Sequence, residues 1–272
     1  MIALLLLLNS PELSLNLVVT GDEVQGKRAA FARKILDLSG RKDIKVAQGA
    51  SLGNTEFVVD EFLDDYQDGG DTSLAAIKEV VDASDKVIYI GIQGFTNLAQ
   101  YLQTYPSDKK KLQVFQMGGA VNFSRREGWV EHNVKIDIPS AAFVLSSGVD
   151  IALVMAQTTF NPVLRIDNQH VLFRRFETSN NNVLHILTRH IAAFHEFHVQ
   201  HGREFWPFMH DPLTVAAALG KDFVSFYDSP ISTASTGELQ LANQGENVHI
   251  SNAASQDHAF MEFLEHRLFQ KQ

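Results

Sequence analysis

The run Lys86-Val87-Ile88-Tyr89-Ile90-Gly91-Ile92, with Gln93-Gly94-Phe95-Thr96-Asn97 directly behind it, decides the fold. After Lys86 the run is apolar without alternation, the pattern of a strand buried on both faces. It ends in a glycine-bearing turn, and Thr96 to Thr104 then carries apolar residues at helical spacing. Leu112 to Met117 is a second such strand, stopped by Gly118-Gly119. Strands of this kind alternating with helices imply an α/β fold, a mostly parallel central sheet flanked by helices. Ligands of such sheets bind outside the carboxyl ends of the strands. The turns after Val19, Ile90, Met117 and Met155 are therefore the places to search.

Outward from this core the same alternation continues. Upstream, Leu13 to Val19 reads as a strand ending at Thr20-Gly21. Val24 to Leu38 reads as a helix closed by Ser39-Gly40, Lys45 to Ala47 as a strand, and Ser73 opens a further helix. Downstream, Pro139 opens a helix through Leu145, as a proline at the first helical position does, and Ile151 to Met155 returns to the sheet. Val183 to His201 and Pro212 to Leu219 read as helices. Phe223 to Tyr227, Glu238 to Leu241 and Val248 to Ile250 read as short strands, before a last helix from Asp257 to Phe269. No repeat and no Pro/Gly/Ser linker divides the chain. One domain over 1–272 is expected, with a mainly helical cap at about 160–210.

Met1 runs straight into Leu4 to Leu8 and stops at Asn9-Ser10-Pro11, which reads as a short buried helix. Seven apolar residues are too few to span a bilayer, which takes about 20. The stretch lacks the basic region and cleavage site of a signal peptide. A cytoplasmic protein without a membrane partner is expected. With 32 acidic against 23 basic residues, nothing supplies the cationic surface that nucleic acid requires. The absence of cysteine rules out disulfides, thiolate metal sites and a Cys nucleophile.

His210-Asp211-Pro212 precedes a helix. A histidine and a carboxylate there suit acid catalysis and binding of a hard cation, and the plainer alternative is that Asp211 caps the helix. Glu131-His132-Asn133 could hydrogen-bond a polyol, although such a loop is more often merely solvated. Gly91 to Asn97 and Met117 to Ala120 are by themselves tight turns. His185, His190, His195, His198 and His201 crowd one segment without a His-Glu-x-x-His arrangement. The acids Asp60, Glu61, Asp64, Asp65, Asp68 and Asp71 lack EF-hand spacing and read as a solvated loop. Gly-x-Ser-x-Gly, phosphate-loop and Gly-x-Gly-x-x-Gly patterns are all missing.

Taken together, Gly94-Phe95-Thr96-Asn97, Met117-Gly118-Gly119, Glu131-His132-Asn133 with Asp137, and His210-Asp211-Pro212-Leu213 resemble the motifs of the nucleoside hydrolases, inosine-uridine-preferring nucleoside N-ribohydrolases, in the same order. The resemblance covers nearly the whole chain. It implies an open, Rossmann-like sheet and hydrolysis of a ribonucleoside to base and ribose through an oxocarbenium-like transition state. In relatives a bound calcium ion holds the ribose hydroxyls and the attacking water. Carried over, Asp211 and the backbone carbonyl of Ile92 would be calcium ligands, His210 would assist the departing base, and Glu131 and Asn133 would hold the ribose. A dimer or tetramer of like chains is also implied.

Some positions depart from the family pattern. Its Asp-x-Asp-x-x-x-Asp-Asp motif and first strand would end about where Met1 begins, so an upstream start is expected, and calcium binding by this chain should be weak or lost. Asp22, Arg125 and His132 replace residues that lie at the site in relatives. They leave open an alternative, an inactive member that binds nucleosides or a protein partner.

Overall fold

A helix with leucine on every side must be buried on every side. In Ile2–Leu8 (α1), Ile2, Leu5 and Leu6 are buried, and Met1, Leu4, Leu7 and Leu8 pack against the same core. The computed structural model describes residues 1–63 and 66–269, so Asp64 and Asp65 of the acidic run lie outside the described residues. Leu17–Val19 (β1) and Lys45–Ala47 (β2) form a parallel pair linked by Lys27–Leu38 (α2). Ser73–Asp82 (α3) then leads to Val87–Gly91 (β3), Thr96–Thr104 (α4), Leu112–Met117 (β4), His132–Lys135 (α5), Ile138–Ser146 (α6) and Asp150–Val154 (β5). Ala156–Thr159 (α7), Val171–Glu177 (α8) and Asn182–Gln200 (α9) fill most of the next stretch. His210–Ala218 (α10), Val224–Thr233 (β6), Leu239–Leu241 (β7), Asn247–Ser255 (β8) and Asp257–Phe269 (α11) complete the chain.

The main sheet has the order β3-β4-β5-β8-β6-β7. Its first four strands are mutually parallel, while β6 runs antiparallel to both β8 and β7. The mostly parallel α/β architecture is therefore as the sequence implies. β1 and β2 form a separate two-stranded sheet.

Period-two alternation sorts the strand side chains into two cores. Val87 and Tyr89 of β3, Val114 of β4, and Ile151 and Leu153 of β5 face a core closed by α3, α4 and α6. Their neighbours Ile90, Phe115 and Val154 face the opposite core, made by α1, α8, α9, α10 and α11. Leu6 is fully buried in this second core, where truncation of a leucine to alanine costs about 2–5 kcal/mol. α10 packs directly on β3, β4 and β5. That packing carries the start of α10 to the sheet.

Several elements differ from their expected extents: α2 begins at Lys27 rather than at Val24, and β8 covers Asn247–Ser255 rather than Val248 to Ile250. Of Leu13 to Val19 only Leu17–Val19 is strand, because β2 offers three partners, and Leu13 packs into the core without strand pairing. β6 runs on from Tyr227 to Thr233 because it pairs with β8 along one part and with β7 along another. No helix among the described residues is long and apolar enough to cross a membrane.

Candidate active site

The turns at the carboxyl ends of the strands are tied together by side-chain amides. The Gln116 Nε2 donates to the carbonyls of Gln93 at 2.6 Å and Met117 at 2.8 Å, which joins the β3 turn to the end of β4. Glycine at 91 makes room for this amide, since a Cβ there would lie 1.8 Å from the Gln116 Oε1. Asn97 does the same for the β1 turn: its Nδ2 donates to the Thr20 carbonyl at 2.8 Å, and its Oδ1 accepts from the Ala50 N–H at 3.0 Å. Glu23 was not singled out from the sequence. It is fully buried, accepts the Thr20 hydroxyl at 2.6 Å, and takes the N–H groups of Val24 and Ala29 at the entry to α2.

Glu131 and Asn133 are not in a solvated loop. Glu131 is 5% and Asn133 6% exposed. The physical reason is an unmet need for acceptors: the Glu131 Oε2 accepts from the N–H groups of Asn133 and Gly119, each at 2.9 Å, and of Val134 at 3.2 Å. The carboxylate thus caps α5 and pins the β4 turn at once. Gly119 has φ +76°, and a Cβ there would sit 2.3 Å from the Leu239 Cδ1, so any other residue would be strained and would displace Leu239. The Asn133 Nδ2 donates to the Met117 carbonyl at 3.0 Å. Burial pushes the Glu131 carboxyl up to about 7; its backbone donors oppose the shift, and the nearby charge of Asp211 adds to it.

Asp211 and His210 reach the same place from α10. Asp211 is not the helix cap. Met209 occupies that position, and Asp211 lies within the first turn without bonding to the helix N–H groups. Pro212 still falls where a missing N–H costs nothing. Burial raises the Asp211 carboxyl above the usual carboxylate range, partly offset by the amino group of Met1. Burial first, and then Arg125, lower His210 to about 3, so its imidazole is neutral. Its Nδ1 is buried without a hydrogen-bond partner among the described residues.

Around His210 stands an aromatic wall that sequence reading missed. Phe160 lies 4.6 Å from the imidazole, centroid to centroid, and Phe208 lies 5.5 Å from it. Trp129 meets Phe160 edge-on. The Arg125 guanidinium sits 4.4 Å over Phe160 and 5.3 Å from the ring of Phe205. Arg125, Phe205, Trp206 and Phe208 line a cleft of ≈ 300 Å³ with Arg165, Asp167 and Glu204. The available signal was Phe205-Trp206-Pro207-Phe208, one residue ahead of His210.

The histidine-rich segment resolves into packing. His195 stacks on Trp206 at 3.8 Å, His190 packs against Phe31, and His198 sits against Phe194 and Phe205. Asp60 pairs with Lys27, and Glu61 with Arg189.

Calcium takes six to eight oxygen ligands. No group of three or more His, Cys, Asp or Glu side chains placed to hold a metal ion occurs among the described residues. Ile92 follows the carboxyl end of β3, with its side chain on the core shared with α10. Asp211 and one carbonyl do not amount to a calcium cage, so the donor set present does not fit the ion that the resemblance implies.

A mostly parallel sheet whose carboxyl-end turns carry buried polar side chains is the arrangement in which doubly wound proteins bind small molecules. The sequence profile of the inosine-uridine preferring nucleoside hydrolases matches residues 1–262, and the chain belongs to that family. A pyrimidine-specific ribonucleoside hydrolase RihA of Citrobacter koseri is 26% identical over 237 residues, covering 79% of this chain and 74% of the relative. Among solved structures, a plant nucleoside hydrolase, the PpNRh1 enzyme, superposes with a TM-score of 0.83 at 18% identity, covering 99% of this chain and 95% of its own. A purine-preferring ribonucleoside hydrolase from Gardnerella vaginalis gives 0.78 at 19% identity, with 98% and 93% covered.

Proposed function

We propose that the chain cleaves the N-glycosidic bond of ribonucleosides with water, releasing free base and ribose. The observation that carries this reading is that the Glu131 and Asp211 carboxyls lie within electrostatic reach of each other, with His210 beside Asp211 at the start of α10 and against the ring of Phe160. A planar base stacks on such rings, and a ribose needs the polar floor. As the C1′–N bond breaks, positive charge develops on the sugar. The nearby carboxyls of Asp211 and Glu131 favour that charge in a site where water does not screen it. Water forms the new C1′–O bond and gives up a proton, for which Asp211 is the acceptor. The departing base takes up one proton in turn, so that the water supplies both the new sugar hydroxyl and the proton on the base, while the neutral His210 keeps its own proton and donates a hydrogen bond to the base from its ring N–H.

The test is incubation of the 272-residue chain with inosine and with uridine, following free base and reducing sugar together. One-to-one appearance of the two is the expected result. No release above the uncatalysed background contradicts hydrolysis.

A second reading, a family member that binds nucleosides without cleaving them, is favoured by the single carboxylate at the expected metal position and by Asp22. The Asp22 carboxylate accepts from the Asn54 amide at 2.9 Å and faces Arg28. Quenching of tryptophan fluorescence by inosine, without base release, is the result that selects this reading.

A further inference from the structure

Of the two arginines that line the cleft, one has a carboxylate partner. Arg165 pairs with Asp167 at 3.0 Å, and Glu204 lies 3.7 Å from the His195 Nε2. Arg125 lines the same cleft and has only ring faces beneath it, Phe160 and Phe205; no carboxylate partners it among the described residues. Phe160 is bracketed by the Arg125 guanidinium on one contact and by the His210 imidazole on the other. A cation over aromatic rings keeps the N–H edge of its planar fork free, because the rings engage its face. An aromatic slot with a guanidinium edge is suited to a planar ring carrying two neighbouring hydrogen-bond acceptors, since Arg pairs in bidentate fashion with such an edge.

Resting on the proposed nucleoside reading, we propose that Arg125 is a specificity-determining residue that grips the acceptor edge of the base. It selects bases with adjacent acceptors, such as O6 and N7 of hypoxanthine or O2 and N3 of cytosine, over bases that lack the pair. The aromatic surroundings favour this over capture of a phosphate group. A phosphate would sit as well on an open basic surface, whereas here the guanidinium lies among Phe160, Phe205 and the nearby Phe208.

The test uses the full chain and three probes: inosine, purine riboside (inosine without O6) and inosine 5′-monophosphate. Binding is read from the fluorescence of the chain's two tryptophans, both of which lie at the site: Trp129 against Phe160, and Trp206 in the lining of the cleft. The wild-type chain should bind inosine about 10- to 100-fold more tightly than purine riboside, the discrimination of one bidentate pair. Arg125→Ala should remove that preference while leaving purine riboside binding in place. Arg125→Lys should recover only part of the preference, because an ammonium keeps the charge without the fork. Arg125 is exposed, and circular dichroism checks that both variants keep the wild-type fold.

Equal affinity of the wild-type chain for inosine and purine riboside, or an unchanged ratio in Arg125→Ala, overturns the role of Arg125 and leaves the nucleoside reading standing. Tighter binding of the monophosphate than of inosine, lost in Arg125→Ala, assigns the residue to phosphate and also overturns the proposal. Failure of the wild-type chain to bind any of the three overturns the nucleoside reading itself.

Discussion

Glu131 and His210 stand on different elements, α5 and α10, and their polar atoms meet opposite fates. Glu131 accepts three backbone N–H groups through one oxygen, and its neighbours Gln116 and Asn133 are likewise bound to main-chain carbonyls. His210 and Arg125 instead have ring faces for company, and the His210 Nδ1 has no partner among the described residues. Side chains of the first kind hold the turns that shape the site. A buried, unpaired donor or acceptor of the second kind costs stability, and an incoming ligand is the natural source of the missing bond. Substitutions should therefore divide by their main effect: those near Glu131 cost stability first, whatever they also take from the reaction, and those near His210 act on substrate at little cost in stability.

The largest effect is expected at Asp211. Asp211→Asn should lower base release by about 10²- to 10³-fold, a loss typical of a single acid–base or electrostatic group. Thermal denaturation should show no loss of stability, because the neutral amide avoids burying a charge. A fall in Tm equal to that of Glu131→Ala would erase the division between the two regions.

Next comes Glu131→Ala, which leaves the N–H groups of Gly119, Asn133 and Val134 without their acceptor. A loss of about 2–4 kcal/mol in urea unfolding is expected from the cap and the orphaned donors.

The same carboxyl makes stability depend on pH in a stated direction. Its pKa rises from an ordinary 4.5 to about 7 in the folded chain. Between those values the native state holds the proton more firmly than the unfolded chain. This contribution is complete below pH 4.5 and is lost as pH rises through 7, by about 3 kcal/mol. Glu131→Gln should flatten the loss between pH 5 and 8, and equal slopes for the two proteins would remove Glu131 as its source.

Gly119→Ala should cost about 1–3 kcal/mol, since φ is +76° and the new Cβ meets Leu239. A crystal structure of the variant should show Leu239 displaced.

The same contrast explains what could be read from the sequence. Buried strands announce themselves through unbroken apolar runs, and Leu112–Met117 and Lys45–Ala47 were placed to the residue. So was Thr96–Thr104, and the helix expected from about Asp257 to Phe269 is there, both with clear helical spacing. The four-residue α5 was invisible, because its existence depends on a carboxylate satisfying N–H groups that the sequence does not order by any period. Glu131, Asn133, His210 and Asp211 are candidates through motif order, and the structure brings Glu131 and Asp211 within electrostatic reach. The aromatic wall gave no periodic signal, since Phe160 and Phe205 to Phe208 come from separate loops. Arg125 stood out only as a departure from the family pattern. Its role emerges from the rings beneath it.

The most direct test of this division is His210→Phe. The substitution keeps an aromatic ring between Phe160 and Phe208 while removing the unpartnered nitrogen. Unfolding and base release from inosine should be measured on the same preparation beside the wild-type chain. Unchanged or raised stability with at least a 100-fold loss of base release is the expected result. Base release equal to that of the wild-type chain, at equal stability, would contradict the account.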